Sequence, residues 1–112
     1  MSDTATANAE KSAADMQAVI VCTEKRGVFF GWTADPLADP LTLSRARMCI
    51  YWSSYIGGVQ GLAATGPTDA VAERSGSRIS AESDAILRGI TAVFPATDAA
   101  VAAWAAAPVY RG

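Results

Sequence analysis

Residues 17–34 read QAVIVCTEKRGVFFGWTA, and this stretch predicts the first two strands of the fold. Its first part is a β-branched run long enough for a strand, and the part after Gly27 alternates between two faces. The tripeptide Lys25-Arg26-Gly27 between them is typical of a tight turn. The stretch therefore predicts an antiparallel hairpin, whose second strand carries Val28, Phe30 and Trp32 on one face and Phe29, Gly31 and Thr33 on the other.

A proline-rich loop and a third strand follow the hairpin. Residues 35–40 (DPLADP) cannot extend a strand, because Pro36 and Pro40 each lack a backbone donor and restrict the residue before them. Residues 41–52 (LTLSRARMCIYW) then alternate, and neither face is purely polar. The pattern predicts a strand with one face formed by Leu41, Leu43, Arg45, Arg47, Cys49 and Tyr51.

The second half of the chain predicts two helices and further strands. A short middle helix is expected over 59–66, ended by Gly66-Pro67, and a C-terminal helix is expected from Thr97-Asp98 to Pro108. We expect the second helix to bury a stripe of Val101, Trp104 and Ala105. Short strand patterns occur at 78–80 and 85–94. The fold class is therefore predicted to be α+β: a small antiparallel β-sheet with a short middle helix and a C-terminal helix.

A chain of 112 residues has the length of one domain. Residues 1–16 are small and polar, which predicts a flexible N-terminal tail before a single α+β domain over 17–112. Three Trp, three Tyr and three Phe, on strands that are apolar on both faces, exceed what one small core needs. We therefore expect a symmetric homo-oligomer.

Charge argues against a nucleic-acid partner, and hydropathy argues against a membrane partner. Residues 1–16 hold three of the 11 acidic and one of the nine basic residues, so 17–112 carry eight of each. A neutral domain does not suit binding to a nucleic-acid polymer, which requires a basic surface. The longest apolar run, 99–109, is about half of a membrane span, and the N-terminus lacks a signal pattern. We expect no membrane partner and a cytoplasmic location.

The residue types also argue against catalysis. The chain has no histidine, which removes the usual general base and the commonest metal ligand. Cys22 and Cys49 are too few for a structural zinc site and are expected to be small buried hydrophobes, although a disulfide stays open. We expect no enzyme, no metal and no cofactor. The pairs Asp35 with Asp39 and Glu82 with Asp84 could in principle perform acid–base chemistry, but each pair lies in a turn, where carboxylates are ordinary solvent-facing residues. An enzyme acting on a nucleotide would instead need a pocket that holds an arginine with Glu24 or Asp98 and a bound metal.

A cationic stretch is the most suggestive local feature. Arg45 and Arg47 share a strand face by period two, and no carboxylate occurs between Asp39 and Asp69. Guanidinium groups bind phosphate, and the neighbouring aromatic rings could stack on a base. The alternative is that these arginines form surface or interface ion pairs while the rings belong to the core. The pattern GLAATG (61–66) lacks the lysine that a phosphate-binding loop needs.

Five segments within residues 18–110 carry a resemblance to a known family through their order and spacing. They are RGVFFG (26–31), LSRARMCIYW (43–52), GLAATG (61–66), ITAV (90–93) with Thr97-Asp98, and Trp104 with PVY (108–110). Together they resemble a family of small proteins encoded by phages and prophages. Through that family the chain is similar to the first described Thoeris anti-defence family. Members of the latter are homo-oligomers of a β-sheet and helices that sequester cyclic ADP-ribose isomers made by bacterial immune TIR enzymes, and some also hold cyclic oligonucleotides.

The resemblance implies a sponge that binds a small cyclic nucleotide between subunits, without turnover, in the cytoplasm of an infected bacterial host. Met48 and Ile50 stand where the family pattern often has a second arginine and an aromatic residue. The alternative is a virion component, such as a decoration or tail-associated protein, which needs a broad exposed apolar face. Ligand contacts carried over from the family are Arg26, Val28, Phe29, Arg47, Trp52, Thr97 and Arg111.

Overall fold

The computed structural model describes residues 16–24, 27–71 and 76–110, so the predicted tail lies outside the described residues except for Met16. The fold is α+β, with a small antiparallel sheet and two helices, as predicted. The strands are β1 (Gln17–Thr23), β2 (Val28–Thr33), β3 (Leu41–Tyr51), β4 (Arg78–Ile79), β5 (Ser83–Leu87) and β6 (Ile90–Pro95). A 3-10 turn (Ser54–Ile56) and helix α1 (Gly58–Ala64) follow β3, and helix α2 (Asp98–Ala106) follows β6.

The predicted hairpin is the centre of the sheet. Strands β1 and β2 pair antiparallel in the register Gln17 with Thr33 and Ile20 with Phe30. On the outer side of β1 lies β6, and on the outer side of β2 lies β3, both antiparallel to their neighbours. The far edge of β3 pairs with β5 along its first half and with β4 at its end.

The prediction of one strand over 85–94 is wrong, because two strands occupy this region. Only Arg88 and Gly89 separate β5 from β6, yet β5 pairs with β3 and β6 pairs with β1. Gly89 has φ +69°, and a Cβ there would lie 3.1 Å from Cδ of Glu24, so glycine suits this sharp turn. The sheet curls as a result around an inner cluster: Val19, Val21, Leu41, Leu43, Ala46 and Leu87.

The other face of the sheet carries the two helices. Phe30 of β2 stacks on Trp104 of α2, with ring centroids 5.0 Å apart and planes 9° from parallel. Trp104 is fully buried, whereas Ala105 of the predicted stripe is exposed and Ala100 is buried in its place. This outer cluster is formed by Ile20, Val28, Phe30, Cys49, Ile56, Leu62, Ala63, Ile79, Ala100, Trp104 and Ala107.

Helix α2 satisfies the carbonyl groups at the end of α1. The carbonyl oxygens of Leu62, Ala63 and Ala64 accept from Trp104 Nε1 (3.1 Å), Thr97 N (3.0 Å) and Thr97 Oγ1 (2.6 Å). Thr97 also accepts at Oγ1 from Ala100 N at 3.1 Å, which confirms the predicted helix start. None of the helices in the described ranges is long and apolar enough to cross a membrane.

A β-bulge interrupts β3, and the predicted regular alternation over 41–52 is therefore wrong. Trp32 pairs with Ser44 and Phe30 pairs with Arg47, so β3 contains one residue more than β2 between the two pairs. Leu41 and Leu43 consequently share the inner cluster with Ala46, while Cys49 belongs to the outer cluster. Arg45 is exposed and Arg47 is buried, so the two arginines do not form the expected common cationic surface.

Candidate functional site

A cleft of about 460 Å³ lies where β2 ends and β3 begins, beside the proline-rich loop. Its walls come from both strands, from the loop between them and from Met16, which precedes β1. Most of the lining is apolar, with one carboxylate and three hydroxyl groups. The lining residues are Met16, Trp32, Thr33, Ala34, Asp35, Ala38, Pro40, Thr42 and Ser44.

Trp32 forms the aromatic wall of this cleft. Its ring and that of Phe30 meet edge to face, with a centroid distance of 6.3 Å and an interplanar angle of 74°. The guanidinium carbon of Arg45 lies 4.8 Å from the ring centroid. Within the described residues, neither the indole N–H nor the hydroxyl groups of Thr42 and Ser44 has a hydrogen-bond partner. No described residue therefore competes with a ligand for these groups.

Arg45 is held in an unusual backbone conformation. Its φ of +52° lies in the left-handed region, which costs a non-glycine residue about 1–2 kcal/mol. Its backbone N–H donates to Oδ1 of Asp84 at 3.0 Å. Its guanidinium makes no ion pair with any carboxylate in the described part of the chain. The bulge thus places on the Trp32 ring a guanidinium that no described carboxylate neutralises.

Asp35 adds an opposite charge to the cleft. Its Oδ1 accepts from the backbone N–H of Leu37 at 3.0 Å, and its own N–H donates to Thr33 Oγ1 at 3.2 Å. No ion pair joins Asp35 to Arg45. The lining itself offers a ring, hydroxyl groups and one carboxylate, and the guanidinium of Arg45 lies beside the cleft, over the ring of Trp32. In the described ranges no three His, Cys, Asp or Glu side chains cluster as metal ligands would.

The seven residues carried over from the resemblance lie elsewhere. Arg26 and Arg111 are outside the described residues. Val28 and Trp52 pack in or against the outer cluster, whereas Phe29 packs against the inner cluster on the opposite face. Thr97 caps α2, as described above. None of the five described residues lines the Trp32 cleft, so the structure does not bring them together around it.

Arg47, the fourth carried-over contact in chain order, has internal partners. Only 5% of it is exposed, and it donates from Nε to Ser80 O (2.8 Å) and from Nη1 to Trp104 O (2.6 Å). Burial lowers the pKa of this guanidinium, and the charge of Glu82 partly opposes that effect. Arg47 therefore connects β3 to the last turn of α2, where the helix dipole favours a cation.

A polar cluster at the end of β3 was not predicted. Ser53 and Ser77 donate their hydroxyl hydrogens to the two carboxylate oxygens of Asp69, and the bond from Ser77 measures 2.7 Å. Burial opposes the charge of Asp69, but these hydrogen bonds outweigh it and hold its pKa below the ordinary value. Ser77 is fully buried. The cluster links the segment after α1 to the residues that follow β3 and precede β4. No periodicity in the sequence predicts it.

The glycines of GLAATG have a packing role. A Cβ on Gly61 would lie 1.6 Å from the carbonyl oxygen of Ile56, and one on Gly66 would lie 2.7 Å from Cβ of Ala103. Gly66 also has φ +78°, which suits the end of a helix. These two positions let the 3-10 turn and α2 approach α1 closely, which accounts for the spacing without a phosphate.

The sequence predicted the role of Arg45 only in part. The uncompensated positive charge of the third strand is visible there, but the bulge that separates Arg45 from Arg47 is set by pairing with distant strands.

Comparison with known proteins identifies a family: the profile described as "Domain of unknown function (DUF6948)" matches residues 16–104. No curated protein and no solved structure matches the chain.

Proposed function

This chain belongs to the DUF6948 family, and from the chemistry of its own cleft we propose that it binds a small nucleotide-like anion without transforming it. The role is that of a sponge, as the likeness to the Thoeris anti-defence family implies. Its ligands would be cyclic ADP-ribose isomers or cyclic oligonucleotides, held in the cytoplasm of an infected bacterial host. The proposed site is the Trp32 cleft, in place of the residues carried over from the resemblance.

The observation that carries this proposal is the guanidinium of Arg45 on the ring of Trp32, without an ion pair among the described residues. A guanidinium with free donors binds phosphate through paired, charge-assisted hydrogen bonds. An indole at the same place offers a flat apolar surface and one N–H. The two together match a ligand that has both a phosphate and a base.

The cleft favours binding over turnover. Nucleophilic catalysis by a hydroxyl group needs a base within hydrogen-bond reach, and the hydroxyls of Thr42 and Ser44 have no such partner in the described residues. The whole chain also lacks histidine. A sponge needs neither a base nor a proton relay. It needs donors, a stacking surface and enclosure.

Enclosure is the reason to propose a homo-oligomer. A nanomolar dissociation constant corresponds to about −12 kcal/mol, which one guanidinium at an open cleft would not supply. Leu37, in the loop that lines the cleft, is 93% exposed. Ile86, which pairs with the lining residue Thr42, is 66% exposed. We propose that a second copy covers these side chains and closes the cleft over the ligand.

Native mass spectrometry with a panel of cyclic ADP-ribose isomers and cyclic di- and trinucleotides tests the proposal. The wild-type multimer should retain a ligand and release it chemically intact after heating. Arg45→Ala should lose at least tenfold in affinity, whereas Arg88→Ala, at an exposed arginine of the β5–β6 turn, should retain wild-type binding. Equal binding by both variants would place the ligand elsewhere, and an altered ligand would indicate an enzyme.

A virion component is the second candidate, and the exposed apolar side chains favour it. Tyr55 is 93% exposed and Ile50 is 48% exposed, in addition to the two side chains beside the cleft. Such side chains suit contacts in a larger assembly as well as contacts between copies. A multimer that retains no member of the ligand panel would reject the sponge and favour this role.

A further inference from the structure

We infer that Asp84 is the positioning residue of the cleft, because it fixes the β3 bulge and thereby sets the guanidinium of Arg45 on Trp32. The inference rests on the proposed function as far as ligand affinity is concerned. Its structural part, the dependence of the Arg45–Trp32 contact on Asp84, stands on the geometry alone.

The pairing of β3 with β5 places Asp84 opposite the bulge. Leu43 pairs with Ala85 and Ala46 pairs with Ser83, so Ser44 and Arg45 together face the single residue Asp84. A bulge of this kind leaves backbone groups without their usual ladder partners. The carboxylate of Asp84 accepts the N–H of Arg45 at 3.0 Å and replaces the missing carbonyl.

Asp84 acts on the backbone of Arg45 and not on its charge. No ion pair joins the carboxylate to the guanidinium, although the two residues are hydrogen-bonded neighbours. The guanidinium is directed to the ring of Trp32 instead. A carboxylate that held the guanidinium would neutralise the cation that a phosphate requires. This arrangement fixes the direction of Arg45 and leaves its donors available.

Two effects of Asp84 can be separated by substitution. Asp84→Ala removes the hydrogen-bond acceptor, so the left-handed conformation of Arg45 loses its support. Asp84→Asn retains an acceptor oxygen and removes only the negative charge. Loss of a hydrogen bond to a charged group predicts about tenfold weaker anion binding for Asp84→Ala. Asp84→Asn should bind at least as well as wild type, because a charge that repels the anion is gone.

The decisive measurement is the indole N–H signal of Trp32 in ¹H–¹⁵N NMR spectra of the full chain. A guanidinium over the ring shifts this signal, and Arg45→Ala gives its position without the cation. Asp84→Ala should move the Trp32 signal to that position, while Asp84→Asn and the control Glu82→Ala should leave it at the wild-type position. The signal of Trp104, whose indole N–H donates to Leu62 O in the outer cluster, reports whether the fold is intact and should keep its wild-type position in the Asp84 variants. A wild-type Trp32 signal in Asp84→Ala would overturn the inference.

Titration of the same variants with inorganic pyrophosphate and ADP provides the second measurement. The expected order of affinity is Asp84→Asn at or above wild type, and Asp84→Ala about tenfold below. If wild type binds neither probe nor any member of the cyclic nucleotide panel, the proposed function fails while the Trp32 signal still decides the role of Asp84. If wild type binds and Asp84→Ala binds equally well, only the inference fails.

Discussion

Arg47 donates from Nη1 to the carbonyl oxygen of Trp104 at 2.6 Å and thereby joins β3 to the last turn of α2. The same guanidinium donates from Nε to Ser80 O, so one side chain connects three segments that are distant in sequence. Both acceptors are carbonyl groups, and the positive charge lies at the negative end of the α2 dipole. Burial of a cation is tolerated here because its donors are directed at these oxygens.

Arg47→Met should lower the free energy of unfolding by about 3 kcal/mol. The substitution keeps an apolar stem of similar length, but it removes two charge-assisted hydrogen bonds and leaves two carbonyl groups with fewer partners. Urea denaturation measures the change, with Arg88→Met as the matched exposed control. A loss below about 0.5 kcal/mol, no larger than that of an ordinary surface change, would show that these bonds are not important for stability.

Local patterns in the sequence predicted much of the fold. The β-branched run before Lys25-Arg26-Gly27 gave the hairpin, and Thr97-Asp98 gave the start of α2, because both depend on residues that are close in sequence. The division of 85–94 at Gly89 was missed, since its two halves pair with strands that are far apart in the chain. Periodicity cannot reveal such a change of partner.

The site was less predictable for the same reason. Period-two alternation treats Arg45 and Arg47 as equivalent, and only the pairing of Ser44 with Trp32 and of Arg47 with Phe30 reveals the extra residue between them. The bulge makes one arginine a buried structural group and leaves the other exposed beside a cleft. Composition correctly drew attention to this cationic stretch, but it could not say which guanidinium is accessible.

Cys49 should resist alkylation in the folded protein at pH 8. Burial raises the pKa of this thiol to about 12, and the charge of Asp69 adds to the effect, so the reactive thiolate is scarce. The variant Cys22→Ala isolates Cys49, and iodoacetamide labelling followed by mass spectrometry measures its rate. Labelling should become fast in denaturant. Equal rates in the folded and denatured protein would contradict the burial of this side chain.

The same shift predicts alkaline sensitivity. A thiol whose pKa is raised by folding stabilises the native state fully below its unfolded value of about 8.5. That contribution is lost as the pH rises from there toward about 12. When Cys49→Ala is added to the Cys22→Ala protein, the urea midpoint should therefore decline less steeply above pH 9 than it does in Cys22→Ala alone.

Asp69 should contribute an acid-sensitive part of the stability. Its pKa is held low by the hydrogen bonds from Ser53 and Ser77, despite partial burial. The contribution is present above the unfolded pKa of about 3.9 and is lost as the pH falls through the lower folded value. Asp69→Asn should be less stable than wild type at pH 7 and should lose less stability between pH 5 and pH 2. Glu24→Gln, at an exposed carboxylate, is the control for the loss of one negative charge.

Arg45→Gly and Arg45→Ala separate the structural cost of the bulge from its use. Both variants remove the guanidinium, but only glycine adopts φ +52° without a steric penalty. We expect Arg45→Gly to be more stable than Arg45→Ala by about 1 kcal/mol, measured by urea denaturation. Both should lose anion binding to the same extent, because the proposed contact depends on the guanidinium and not on the backbone.

The comparison of Arg45→Gly with wild type then tests why an arginine occupies this position. If the fold alone selected the residue, glycine would destabilise the protein, since it gives up the contact with Trp32 and gains chain entropy in the unfolded state. We expect Arg45→Gly to be at least as stable as wild type, because relief of the left-handed strain offsets both losses. A stable variant without anion binding would mean that the strain at Arg45 is retained for function. A marked loss of stability would instead make the Arg45–Trp32 contact part of the fold and remove the main support for the cleft as a binding site.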